Sequence, residues 1–370
     1  MTLLGYSYQG TVQPNSTTNV TIPSSYALSG VNNRDKGISI QTYNGTVRIH
    51  GLNYSPATAD GFLALPCIAL DIDSYEYYGL MYDDPRNPSF YLVVGCEDST
   101  IVSYGLNTTV LNEMETLYIG DTTDYSGSRV TSDKPISFFS GHTCADVPKG
   151  VGYCDHLVEQ IPPTAVWGTH FLSASYFSRL SGELYRVLTA SDSTTVTVNC
   201  NTFLQPLTLT LTSAGNWTEF RTNDSSLCSI ESNNPLLVME FTLSRQTDEV
   251  SDPFMMMIPS VDQYTNDYVF HSPSEFSNYI TILVTPQYYQ PEQILVDGVS
   301  QVNANWAPVH CANGSVCGYC TYVPLEPGDH HVWHSDPCAK MCVLMYGFVY
   351  KSSYGQPAGV FFGKTQDLIG

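Results

Sequence analysis

Residues 207–212, LTLTLT, alternate without a fault, so an extended chain there sets three leucines on one face and three threonines on the other. The same period of two recurs along the chain, carried by Val, Ile, Thr and Tyr and broken by Gly, Pro, Asn and Asp. No long stretch places apolar residues at helical spacing. The pattern predicts an all-β fold. Near the start, residues 37–42, GISIQT, and 46–50, TVRIH, flank Tyr43-Asn44-Gly45. Asn-Gly supplies the positive φ that a tight hairpin turn demands, which predicts a hairpin between those two runs.

The pattern also repeats. Residues 90–104, FYLVVGCEDSTIVSY, align without gaps on 184–198, LYRVLTASDSTTVTV, at an offset of 94, with Tyr91/Tyr185, Val93/Val187, Asp98/Asp192, Ser99/Ser193, Thr100/Thr194 and Val102/Val196 identical. Asp-Ser-Thr reads as a polar turn between two strands, where a side-chain oxygen bonds a nearby backbone N–H. A second motif follows each copy, 131–137 TSDKPIS and 231–237 ESNNPLL, with a third version, RDKGIS, at 34–39. Such spacing predicts tandem β-sandwich-like modules of about a hundred residues. The expected units are an incomplete first β module at 1–52, a β module with a cysteine loop at 53–157, a β module at 158–256, and a Cys-rich β module at 257–370. Propeller blades, at about 45 residues, are too short for this spacing.

At 370 residues and 42% hydrophobic content the chain has ample material for buried cores. Its 14 Lys+Arg against 35 Asp+Glu give a formal charge of −21, which repels nucleic acid and anionic membrane surfaces. No apolar run approaches the roughly 20 residues of a membrane span, so no membrane insertion is expected. Eleven cysteines, with glycosylation sequons at Asn15, Asn19, Asn44, Asn53, Asn107, Asn216, Asn223 and Asn313, point to secretion and an oxidising compartment. The first residues carry neither the basic nor the apolar region of a signal peptide, so the N-terminus is read as truncated.

Between the two repeat copies lies residues 140–171, SGHTCADVPKGVGYCDHLVEQIPPTAVWGTHF. Its mirrored His142-Thr-Cys144 and Cys154-Asp-His156, Glu159-Gln160, Pro162-Pro163 and Trp167-Gly168 are too specific for an ordinary connector. Ser132-Asp-Lys-Pro-Ile136, Ser140-Gly-His-Thr-Cys144, Tyr153-Cys-Asp-His156 and Glu159-Gln-Ile-Pro-Pro163 with Trp167-Gly168 carry a resemblance, as do Asp297-Gly298 and Ser353-Tyr354-Gly355. Gly51-Leu-Asn-Tyr54 leading to Asp60-Gly-Phe-Leu-Ala-Leu-Pro66 adds to it. Through these the chain resembles the IgGFc-binding domain family over nearly its whole length. It departs from it at the N-terminus and at 311–342. The resemblance implies a secreted, non-catalytic recognition or adhesion module that binds an extracellular protein, immunoglobulin-like or other, or a glycan, in mucus or extracellular matrix. Fc binding attaches to no residue motif and is not carried over by residue.

Cys144 and Cys154 are expected to form a disulfide in an oxidising compartment, with a Cys₂His₂ zinc set including His142 and His156 as the alternative. Cys67 with Cys96 and Cys200 with Cys228 are the natural within-module pairs. Cys311, Cys317, Cys320, Cys338 and Cys342 remain. Two disulfides and one thiol left over to bond a partner chain are expected there. His330 and His334 would share a strand face without a carboxylate pattern beside them, a weak basis for a metal site. The chain lacks the sequence signatures of the serine-hydrolase elbow, zinc protease, P-loop and dinucleotide fold, and no cofactor is expected. Two alternatives stand beside the recognition reading: a structural segment of a mucus or matrix polymer, and a glycosidase-like hydrolase whose paired carboxylates only space can reveal. The candidate binding surface is a disulfide-closed loop carrying His142, Asp155, His156 and Glu159 beside Trp167. The competing reading makes the same residues a brace between modules.

Overall fold

The computed structural model describes residues 1–370 apart from 1, 4–5, 29–34, 68–69, 71, 73, 178, 245–250 and 364–370. Its elements are β-strands and three-residue 3-10 turns, with no α-helix among the described residues. One strand plan is used three times. The first sandwich runs through Tyr75–Tyr78, Ser89–Gly95, Thr100–Tyr104, Asn107–Leu111, Thr116–Asp121, Arg129–Ser132, Ile136–Ala145 and Asp155–Ile161. One sheet takes its first, sixth, third and fourth strands in that order, and the other takes its eighth, seventh, second and fifth.

The second sandwich repeats the plan with Gly168–Ala174, Leu184–Thr189, Thr194–Cys200, Leu207–Leu211, Trp217–Arg221 and Met255–Met257. The long Leu227–Phe241 serves as sixth and seventh strand together. Its first half pairs with Gly168–Ala174 and Thr194–Cys200, and its second half with Leu184–Thr189 and Met255–Met257. The third uses Asp267–Ser272, Ser277–Val284, Ile294–Val296, Val299–Ser300, Val316–Leu325, Gly328–His334, Met341–Val349 and Ser352–Pro357, with Ala307–His310 added at one edge.

The repeated motifs fix this plan locally. Ser99 and Ser193 both take positive φ, +58° and +55°. Asp98 Oδ1 accepts the N–H of Glu113 at 3.1 Å, and Asp192 Oδ1 accepts that of Ala214 at 3.1 Å. Where the chain crosses from one sheet to the other, Ser132 Oγ donates to the Lys134 carbonyl at 2.7 Å and Ser232 Oγ to that of Asn234 at 2.6 Å. Asp133 and Asn233 each accept the N–H of the third strand, from Ile101 and Thr195, at 2.7 Å. One set of side-chain-to-backbone bonds thus turns the same corner twice.

The alternation in 207–212 survives as an edge strand whose threonines at 208 and 210 are exposed while Leu211 is buried. By contrast Leu184–Thr189 is buried at every position. Tyr185 and Val187 lie in the second sandwich's own core, whereas Leu184 and Leu188 pack against the first sandwich with Leu237, Met239 and Phe241. A sheet covered on both faces needs a near-continuous apolar run. Arg186, on the same face as Leu184, is accommodated by bonding the Met81 carbonyl at 2.6 Å and lying over Trp217.

Three expectations are corrected. The 37–50 hairpin does not form: Asn44 has φ +66°, but 37–42 and 46–48 are not strands, and Ile49–Ser55 pairs instead with Thr58–Ala64. The unit expected at 1–52 is not a partial sandwich. Its described residues hold a two-residue strand pair, one 3-10 turn and the start of that hairpin, and they lie along the later modules, with Gly37 N–H on the Met114 carbonyl and Thr17 N–H on Asp329. Of the third motif copy, Arg34 lies outside the described residues, and 35–39 does not head a strand. The boundaries at 52/53 and 157/158 fall inside Ile49–Ser55 and Asp155–Ile161, because these strands serve the junction between modules rather than closing one unit.

Candidate recognition site

Ile136–Ala145 runs into the cysteine loop through a bulge between His142 and Ala145, and Asp155–Ile161 leads out of it. The Cys144–Cys154 disulfide closes it. Beneath the loop sits Asp84, whose carboxylate accepts Arg86 Nε at 2.9 Å and Nη2 at 2.6 Å and the Asp146 N–H at 3.0 Å. Burial pushes its pKa up, but the Arg86 guanidinium and these N–H donors outweigh that and hold it at about 2. Asp146 in turn accepts the Gly152 N–H at 2.7 Å and pairs with Arg86. His142 Nε2 donates to the Asp84 carbonyl at 3.0 Å, and its Nδ1 accepts the Cys144 N–H at 3.1 Å, which assigns the neutral tautomer. Burial lowers its pKa.

The residues expected to present a surface lie inside. His142, Asp155, Glu159 and Trp167 are buried, and His156 is half-buried. Asp155 Oδ1 accepts from the Thr58 hydroxyl, the Ala59 N–H at 3.0 Å and the His156 N–H at 2.8 Å. Burial raises its pKa to about 8. Glu159, also raised to about 8 by burial, accepts the Met257 N–H at 2.9 Å and the Gln160 N–H at 3.1 Å. Burial lowers His156 to about 4, and its Nε2 lies 3.0 Å from Asn53 Nδ2. Trp167 donates to the Pro162 carbonyl at 3.0 Å beside Tyr78.

Asp155 and Glu159 bond across the junction, to Ala59 and to Met257. The eighth strands Asp155–Ile161, Met255–Met257 and Ser352–Pro357 meet there with Thr58–Ala64. An edge strand carries unpaired backbone N–H groups, and buried acids accept them. Asp60, fully buried, takes the N–H of Val158 at 2.9 Å, Met255 at 3.3 Å and Gly61 at 2.8 Å. Sequence reasoning had assigned Asp60 no role. Its signal was an acid inside the otherwise apolar run 59–66.

What the loop exposes is its tip. Thr143, Lys149, Gly150, Tyr153 and the neighbouring Arg86 face solvent, and Lys149 pairs with Asp83 at 2.9 Å.

The disulfides Cys67–Cys96, Cys144–Cys154 and Cys200–Cys228 are all present. The last joins direct cross-strand partners. In the third module one disulfide, Cys311–Cys317, forms, where two were expected, and Cys320, Cys338 and Cys342 are free. Cys320 and Cys342 both face Leu283 from opposite sides of its strand. That puts them about 9.6 Å apart, two strand spacings, beyond disulfide reach. Burial pushes the Cys320 thiol up to about 12 and the Cys342 thiol higher still. Alkylation of the native protein is therefore expected to modify Cys338 alone, with Cys320 and Cys342 reacting only after unfolding. Peptide mass spectrometry that found either buried thiol labelled at native conditions would contradict this burial.

His330 and His334 share a strand face, and each is already engaged. His330 bonds Asp297 and the Glu326 carbonyl, both at 2.7 Å, and His334 bonds the Tyr288 carbonyl at 3.1 Å. All eight sequon asparagines are exposed. With four disulfides, this is consistent with an oxidising, extracellular setting.

The family model described as IgGFc binding protein matches residues 60–347, from the acid that ties the junction into the seventh strand of the third module. The chain belongs to the IgGFc-binding family. Human IgGFc-binding protein is 29% identical to this member over 245 residues, covering 61% of this chain. The chain spans 4% of the length of that relative. No helix among the described residues is long and apolar enough to cross a membrane.

Proposed function

We propose that this chain is a secreted recognition module that holds an extracellular protein partner on the tip of the Cys144–Cys154 loop. Immunoglobulin Fc is the first partner to test, since the human relative is named for it. The observation behind this reading is a tip fixed in advance by the disulfide and the Asp84–Arg86–Asp146 set, with Arg86, Lys149 and Tyr153 outward. Pre-ordering reduces the entropy lost on binding, and Tyr and Arg are favoured anchors. Both cations of the tip are paired, Arg86 with Asp84 and Asp146 and Lys149 with Asp83, so the exposed Tyr153 ring and the outer faces of these ion pairs are what the tip offers a partner.

Lys149→Ala combined with Tyr153→Ala is expected to weaken Fc binding about tenfold or more. The melting temperature should stay unchanged, since neither side chain is buried. Wild-type protein that does not bind Fc sinks the partner, and binding undisturbed by the double variant moves the site elsewhere. Glycan and peptide substrates are expected to pass unaltered, because both loop thiols are in a disulfide and both nitrogens of His142 are engaged. Turnover lost on replacing one carboxylate would establish a hydrolase instead. The structural-polymer reading rests on the exposed Cys338 and would be favoured by covalent oligomers that Cys338→Ser abolishes.

A further inference from the structure

The strand Gly168–Ala174 sets His170 directly across from Glu231, on the face of the second module that meets the third. On that same face Ser229 Oγ bonds the His310 carbonyl at 3.0 Å, and Asn199 Nδ2 bonds it at 2.8 Å. A Cβ on Gly318 would meet Leu172 at 2.5 Å, so the two modules touch closely here. The third module brings Cys311 and Cys317, held in a tight turn in which Cys311 N–H bonds the Ser315 carbonyl and Gly314 N–H bonds the Cys311 carbonyl, both at 2.9 Å. The ligand atoms of His170, Glu231, Cys311 and Cys317 all lie within 4.8 Å of one another.

Two of these atoms are orphaned. His170 Nε2 and Glu231 Oε1 are enclosed and have no hydrogen-bond partner. Buried polar atoms without partners are rare, and an ion is one of the few things that explains them. One imidazole, one carboxylate and two sulfurs form a four-ligand set whose softness and number suit Zn²⁺. The sulfurs ligate only as thiolates, whereas the structure holds them as a disulfide.

We propose that His170, Glu231, Cys311 and Cys317 form a zinc site that fills when Cys311 and Cys317 are in the dithiol state, clipping the second module to the third. A small-molecule dithiol opens the site. It gives two electrons and two protons to the Cys311–Cys317 bond, which breaks to two thiols, and leaves as its own disulfide. Zn²⁺ then displaces both thiol protons and takes the lone pairs of the two sulfurs, His170 Nε2 and a Glu231 oxygen. The disulfide lies within the third module, while the metal is held by both. Oxidation of the pair therefore exchanges a link between modules for one inside a module.

Co²⁺ is the probe, added to intact chain reduced with a dithiol and freed of it without air. The expected result is one tetrahedral Co²⁺ with sulfur-to-cobalt charge-transfer absorption, displaced by Zn²⁺ and absent from unreduced protein. His170→Ala should weaken uptake by more than about tenfold, the lower end for disturbing a metal's ligand environment, and Cys311→Ser with Cys317→Ser should abolish the charge-transfer band. No uptake by reduced wild type, or uptake unchanged in His170→Ala, overturns the site. Should His170→Ala not fold, judged by its melt in the oxidised form, Glu231→Gln is read by the same criterion.

Discussion

Asp60→Ala is expected to lower the unfolding free energy by about 3–5 kcal/mol, a large part of the 5–15 kcal/mol typical of a folded domain. Burial raises the pKa of the Asp60 carboxyl well above the usual range, and the N–H groups it accepts act against that. The cost comes from its three acceptor contacts. Removing them leaves the N–H groups of Val158, Met255 and Gly61 unpaired, each at about 1–3 kcal/mol. Water entering the small cavity offsets part of that sum. Asp60→Asn keeps an oxygen for Val158 and Met255 and should cost about 1 kcal/mol. Urea unfolding distinguishes the two variants, and a loss below about 1 kcal/mol for Asp60→Ala would mean that the junction does not depend on this acid. Because the three donors belong to three different strands, the alanine variant should also unfold less cooperatively, with the modules separating before they melt.

The contrast between that acid and the repeated turns shows what a sequence of this kind reveals. Asp98-Ser99-Thr100 and its copy at 192–194 were legible because the chemistry of a turn is local: a short acid, a positive φ and a hydroxyl act within a few residues. The alternation in 207–212 was legible for the same reason. Asn44-Gly45 supplied correct turn chemistry and still misled, because a hairpin also needs a core for one face. Ile38, Ile40 and Val47 find none and remain 41–43% exposed. His142, Asp155 and Glu159 were read as surface because charged and polar side chains usually are. Here His142 is taken up by the Asp84 carbonyl and the Cys144 N–H inside the loop, and the meeting of four edge strands creates buried N–H donors that Asp155 and Glu159 accept. His170 and Glu231 became neighbours through strand register, and the two cysteines joined them through docking of the third module; neither relation leaves a mark in the order of residues.

Stability is expected to fall as the pH rises from about 6.5 towards 8. Asp155 and Glu159 have folded pKa values of about 8 against ordinary values of 3.8 and 4.5, because burial disfavours their charged forms. Between those limits the folded chain holds two protons that the unfolded chain has released, so each group lowers stability as pH increases. His50 and His156 act in the opposite sense. Burial lowers both from 6.5 to about 4, so between pH 6.5 and 4 the unfolded chain binds protons that the folded chain does not, and stability falls as pH decreases. Asp60, Glu183 and Glu240, also raised by burial, act in the sense of Asp155 and Glu159, and His142, lowered by burial, acts in the sense of His50 and His156. Below about pH 4 the Asp84 carboxylate, held at about 2 by burial and its stronger Arg86 and N–H contacts, begins to lose its contribution. Above 6.5 the histidines are neutral in both states and the buried acids act alone, each at up to about 1.4 kcal/mol per pH unit. Glu159→Gln keeps an oxygen for the Met257 N–H and removes one titrating proton, so it should lower that alkaline slope by up to about 1.4 kcal/mol per pH unit. Unfolding curves at pH 5, 6.5 and 8 decide the matter, and a stability that stays level or rises from 6.5 to 8 would show that these acids are ionised in the folded protein.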